Sequence, residues 1–341
     1  MTSVGPDPAP LYFDAMIDSC PDPAGSALEL ERIGLDAALV TETSHDPFVA
    51  LALAAQATKR IRLGTSIAVA FARSPMTMAV VANHVQQVSG GRLVLGLGTQ
   101  VKPHITRRFS MPWSRPVDRM REYVQALRAI WTSWELGTPL DFRGEFYEHT
   151  LMAPLFDPGP NPSGPPPVYI SGVGRNMTVM AGEVADGFLA APLATVRFID
   201  EVVRPALAEG RASAGAPDQP LEVCAMPFIA TGRDPAEMDR SVAQTRARIA
   251  FYASTPNYAV VLELHGLGGL AEELNLLARE KRWDEMTRLV DDDILELFAV
   301  VATPEDLRRL VARRYAGLVD RVTLYSVADL TPLTWQRVFA D

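Results

Sequence analysis

The chain has 341 residues and a formal net charge of -9, a balance that disfavours attraction to phosphate polyanions and argues against nucleic acid as a partner. Hydrophobic residues at 48% and charged residues at 21% describe an ordinary globular protein, and no apolar run nears the roughly 20 residues that cross a bilayer, which argues against a membrane. Two widely separated cysteines, Cys20 and Cys224, and an N-terminus without a basic-then-apolar leader predict a reducing, cytoplasmic setting.

The first ten residues, rich in Pro and small side chains, are expected to be a disordered lead-in. From Leu11 onward short apolar runs alternate with helical stretches, as in a parallel sheet whose strands are covered on both faces. Leu11 to Ile17 reads as a first strand, and Ala24 to Ile33 as a helix stopped by Gly34, whose missing Cβ suits a left-handed cap. Ala37 to Thr41 is the second strand. Asp46 and Pro47 open the next helix, because Asp accepts from free amides and Pro fits the first turn. Ile61 to Val69 is strand three. Met78, Val81, Val85 and Val88 share one helical face before the Gly90-Gly91 break and strand Leu93 to Leu97. A helix over Val117 to Trp134 buries both its tryptophans in the core.

Leu140 to His149 reads as a hairpin, and the Pro- and Gly-rich stretch to Pro167 as a long loop. Strand Val168 to Ser171, a helix from Arg175, strand Gly187 to Ala191 and a helix from Thr195 to Arg211 follow. Strand Leu221 to Ala230, a helix from Pro235 to Ser254, further short helices, a helix from Pro304 to Tyr315 and strand Arg321 to Tyr325 complete eight strands. Eight βα units with right-handed crossovers close most readily as an α/β barrel. The expectation is a single (β/α)8 TIM-barrel domain over 1–341 with insertions at 138–167 and 255–297.

In a barrel the strand C-terminal ends form the active face, which filters the candidates. Val168-Tyr-Ile-Ser-Gly-Val-Gly-Arg-Asn176 runs a strand through small residues into a helix start, where free amides favour a phosphate. Ser171, Gly172, Val173 and Gly174 form that candidate cradle, and Arg175 could add a charge; a plain tight turn is the competing reading. Thr41 to Asp46 places polar groups at the end of strand two, with His45 able to exchange a proton or simply solvated beside a helix cap. Gly64-Thr65-Ser66-Ile67 interrupts a β-forming run, as a bulge does. Gly96-Leu-Gly98-Thr99-Gln100 clears space above the barrel, and His104, Arg107 and Arg108 lie in the loop beyond. His84, His149 and His265 read as structural, and no metal-ligand cluster or nucleophile elbow is present.

Taken in order, Leu39-Val-Thr-Glu42, Arg60-Ile-Arg-Leu-Gly-Thr65, Ser89-Gly-Gly-Arg92 with Leu-Val-Leu-Gly-Leu-Gly-Thr99, and Ala185-Asp-Gly187 resemble the luciferase-like monooxygenase superfamily. His45-Asp-Pro-Phe48, Lys102-Pro-His104 and Tyr252-Ala-Ser-Thr-Pro256 are similar to its branch dependent on the deazaflavin coenzyme F420. The resemblance implies a cofactor ring against a bulge in strand three with a non-prolyl cis peptide at Ser66-Ile67, and cofactor contacts from Thr43, Thr65, Gly98, Thr99, Gln100, His104 and the 171–175 cradle. It also implies a homodimer acting on a small molecule. The histidine and glutamate that serve sugar-phosphate dehydrogenases of this branch are replaced here by Thr43 and Val101, so His45, His104 and Thr43 are the remaining catalytic candidates. Hydride transfer with coenzyme F420 is the expectation. The alternatives are an FMN-dependent monooxygenase on the same barrel and a flavin-binding protein without turnover.

Overall fold

The computed structural model describes residues 10–17, 21–328 and 330–340. The expected lead-in, apart from residue 10, and Cys20 lie outside them. Eight parallel strands form in chain order: β1 (Tyr12–Met16), β2 (Ala37–Val40), β3 (Arg62–Thr65, resuming at Ala68–Val69), β4 (Leu93–Gly98), β5 (Val168–Gly172), β6 (Gly187–Ala190), β7 (Glu222–Ala225, resuming at Phe228–Ala230) and β8 (Arg321–Ser326). Each pairs with the next, and β8 pairs with β1 in the register Tyr12 to Arg321. The sheet is therefore a closed barrel with its helices outside.

The helices around it are α1 (Pro23–Ile33), α2 (Pro47–Ala57), α3 (Pro75–Ser89), α4 (Pro116–Leu136), α5 (Arg175–Val184), α6 (Arg204–Ser213), α7 (Pro235–Ala253), α8 (Pro304–Tyr315) and α9 (Pro332–Val338). Asp46 caps as predicted, and Ser74 and Asp234 repeat that chemistry: each accepts an amide of the first turn and precedes a proline. Gly34 ends α1 at φ 96°, a left-handed conformation that a Cβ would strain.

Two cores result. Alternate residues such as Phe13, Leu63, Leu95 and Ile170 point outward into the large layer against the helices. The others point inward, where Tyr169, Leu189 and Cys224 meet Ile67 and Val94. Below them, toward the strand N-termini, the interior is charged. Arg321 forks onto Asp14 at 2.9 and 2.5 Å, and Glu222 takes Arg62 at 3.0 Å and the Tyr169 hydroxyl. Burial, with Asp14 close by, pushes the Cys224 thiol well above its ordinary value, so it is an inert interior residue.

Two features depart from the sequence reading. Strand seven, expected to run unbroken from Leu221 to Ala230, breaks at Met226 and Pro227, because proline has no N–H to give the ladder. Its second half then pairs with a short added strand, Ala299–Val301. The helix expected from Thr195 divides into Val196–Phe198, a wider turn at Ile199–Val203, and α6. Residues 138–167 hold the antiparallel pair Phe142–Arg143 and Glu148–His149 followed by a loop, and residues 255–297 hold short helices. Among the described residues no helix is long and apolar enough to cross a membrane.

Candidate functional site

The strand C-terminal ends meet at one mouth, and its floor is set by the interruption of β3. The Ser66–Ile67 peptide there is cis, as the resemblance implied. Thr65 donates its hydroxyl to the Gly96 carbonyl at 2.7 Å, and Thr41 donates to the Ser66 carbonyl at 2.9 Å. The neighbouring strand accommodates the bulge only through glycine. A Cβ on Gly96 would overlap the Thr65 carbonyl oxygen, and one on Gly98 would come within 2.8 Å of the Ile67 side chain. Thr65, Ser66, Ile67 and Gly98 are thus brought together as one unit.

Sequence reasoning did not foresee what holds that unit. Glu42, buried at 8% exposure, accepts from the Val69 amide and from Arg73, both at 2.7 Å, and Arg73 also reaches Asp46 at 2.6 Å. Burial works against the Arg73 charge, but Glu42 and Asp46 together hold the guanidinium above its ordinary value. The only signal in the sequence is an acid at a strand end and an arginine 31 residues on, a pairing that folding alone makes visible.

One strand further round the mouth from β4, β5 leads through Ser171, Gly172 and Val173, all partly buried, to the exposed start of α5. Gly174 is the N-cap, with φ -73° and no side chain capping the helix, so the first-turn amides stay available to an anion. Space favours the same use. A Cβ on Gly174 would meet nothing within 4 Å, whereas one on Gly172 would strike Met177 at 2.5 Å. Arg175, expected to add a charged contact here, instead turns to Glu209 on α6, so its charge is already matched.

The rim carries the remaining candidates. Thr99 donates to the Gln100 carbonyl at 3.0 Å, and Gln100 adopts a left-handed φ of 58° while its side chain accepts from the Val101 amide. Thr43 is exposed, and its carbonyl accepts from Arg108, which ties the loop after β4 to the loop after β2. That contact occupies Arg108. His45 is exposed with its Nδ1 2.9 Å from the Ser44 hydroxyl, and His104 is exposed on the β4 loop. No described carboxylate orients either ring, so the structure assembles no acid/base dyad from them.

His265 takes part in a tertiary tie. Its Nε2 lies 2.8 Å from the Thr195 hydroxyl, and Arg197 donates to the Leu264 carbonyl at 2.8 Å, so the inserted helices are tied to the loop after β6 at the mouth. Burial and the nearby Arg197 push its imidazole below the ordinary value. Among the described residues no group of three or more His, Cys, Asp or Glu could hold a metal.

Fold and site together define a TIM-barrel enzyme with a glycine-lined β3 bulge and an uncapped α5 start at the same mouth. The luciferase-like monooxygenase family matches residues 18–321, and the chain belongs to it. The uncharacterized protein Rv1360 of Mycobacterium tuberculosis is 50% identical over 299 residues, covering 88% of each chain. The 5,10-methylenetetrahydromethanopterin reductase of Archaeoglobus fulgidus is 27% identical and covers 86% of each. Among solved structures, the coenzyme F420 dependent tetrahydromethanopterin reductase of Methanopyrus kandleri superposes with a TM-score of 0.79 at 21% identity, over 97% of this chain and 98% of that one.

Proposed function

We propose that the chain is an oxidoreductase that moves a hydride between coenzyme F420 and a small organic substrate. The observation that carries the reading is the glycine-lined bulge of β3 and the uncapped start of α5, separated only by β4 around one mouth. The relatives whose names specify a deazaflavin or pterin reductase support the choice of cofactor. When bound, coenzyme F420 supplies the hydride chemistry. Thr65, Ser66, Ile67, Gly98 and Thr99 would hold its ring, and Ser171, Gly172, Val173 and Gly174 its phosphate. Thr41 and Thr65 fix the bulge through backbone carbonyls, which keeps the floor rigid during turnover. Glu42 and Arg73 pair beneath the rim, and Asp46, the second acid on Arg73, is the solvent-exposed one.

Titration of the purified protein with coenzyme F420 and, separately, FMN tests this. Micromolar binding of the deazaflavin with weaker FMN binding is expected. FMN binding without deazaflavin binding would overturn the cofactor, and deazaflavin binding without turnover across enones, imines and alcohols would favour a non-catalytic role.

The same reading includes a dimer formed through α2 and α3. Helix α2 is apolar on all sides, yet Val49 and Leu53 are 64% and 51% exposed, and Val80 on α3 is 52% exposed beside them. An all-apolar helix on a surface calls for a cover. Light scattering is expected to give a dimer for the natural chain and a monomer for Leu53→Arg/Val80→Arg. A natural chain that stays monomeric at high concentration contradicts it.

A further inference from the structure

The mouth has a side that the cofactor residues leave unused, above β7 and β8. Alternation along β8 from the inward Arg321 puts Thr323 and Tyr325 on the inner face, with Tyr325 at the C-terminal end of the strand. Arg248, on α7, donates Nη1 to the Tyr325 hydroxyl at 2.9 Å. This guanidinium is partly buried, and among the described residues it has no carboxylate partner. A cation taken partly out of water normally acquires an acid. Here it spends a charge-assisted bond on a neutral phenol.

The consequence is chemical. A phenol oxygen that accepts from a guanidinium has its own proton left to give, and the field of the cation makes that proton a stronger donor. Thr323, one step below on the same inner face, is 1% exposed, and its hydroxyl has no described partner. The surroundings are apolar and flat. The Phe228 ring stacks on Tyr325 at 5.2 Å, Tyr252 packs edge-on against Phe228 at 5.8 Å, and Tyr258 against Tyr252 at 5.5 Å. Burial pushes the phenols of Tyr252 and Tyr258 far above their ordinary values, so they stay protonated and uncharged.

We infer that Tyr325, braced by Arg248, is the oxygen-recognising pole of the substrate site, and that the substrate is an apolar, flat molecule bearing a carbonyl oxygen. The assignment rests on the hydride-transfer reading and narrows it, since a substrate with no acceptor atom at the reacting end gains nothing from this donor. It also fits the missing acid/base dyad, because a charge-assisted donor aimed at the substrate oxygen stabilises negative charge developing there without a histidine or glutamate.

The test is equilibrium binding, with cyclohexenone and oxygen-free cyclohexene as probes, titrated calorimetrically into the protein with and without coenzyme F420. The natural chain is expected to prefer the ketone by about tenfold, the worth of one hydrogen bond to a buried donor. Tyr325→Phe and Arg248→Met are each expected to erase that preference while coenzyme F420 affinity and melting temperature stay unchanged. Equal affinity for the two probes in the natural chain, or a preference that survives Tyr325→Phe, overturns the assignment. The parent reading fails separately: absence of deazaflavin binding sinks it, whereas deazaflavin binding with no ketone preference sinks this assignment alone.

Discussion

Gly96→Ala is expected to lower coenzyme F420 affinity about 100-fold, roughly 2.7 kcal/mol, because the new methyl must displace the carbonyl of Thr65, the residue whose hydroxyl ties the bulge to Gly96. The strain of overpacking adds a stability loss of about 1–3 kcal/mol, which a barrel of this size tolerates. Gly174→Ala is the control of opposite character. Its backbone at φ -73° suits any residue, and its Cβ meets open space, so stability should move by less than about 0.5 kcal/mol. Affinity falling without stability falling, in Gly174→Ala, would show that the open space is where the phosphate sits. Deazaflavin fluorescence titrations beside thermal melts read both quantities. Gly96→Ala binding within twofold of the natural chain would remove the bulge from the site.

These two glycines also show what was legible beforehand. Gly96 and Gly174 stand in short motifs at strand ends, and the closeness of strand to helix start is local information, so a pass along the chain finds both. The barrel was legible for the same reason. Its helix starts are written in neighbouring pairs such as Asp46-Pro47 and Ser74-Pro75, and its first helix stop in Gly34. What was missed is either non-local or decided by competition. The Glu42 and Arg73 bond spans 31 residues, and the His265 and Thr195 bond spans 70. Arg175 had a helix start and Glu209 to choose between, and the charge won. Pro227 is the exception, a local signal that was present and underweighted against the apolar run around it.

The pair beneath the site sets the second large effect. Asp14 and Arg321 are 2% and 3% exposed, and their fork is enclosed by Glu222 and the interior aromatic layer. Arg321→Met would leave a buried carboxylate without its cation, and a loss of about 3–5 kcal/mol is expected. The size should depend on pH in a definite sense. Burial raises the Asp14 carboxyl from 3.8 to about 6 even against the pull of Arg321. A folded value above the unfolded one means that this group's contribution is complete below the unfolded value and is lost as pH rises through the folded one. Removing Arg321 takes away the opposing pull, so the folded value climbs further and the loss continues to higher pH. Urea unfolding should therefore show a small deficit for Arg321→Met near about pH 5 and the full deficit near about pH 8. Asp14→Leu/Arg321→Met should recover most of it, since two apolar residues need no partner. Equal losses in the single and double variants, or a deficit that shrinks as pH rises, would show that the interior charge is tied elsewhere. Glu222, which lies 3.8 Å from Arg321 and also takes Arg62 and the Tyr169 hydroxyl, is the group that would tie it.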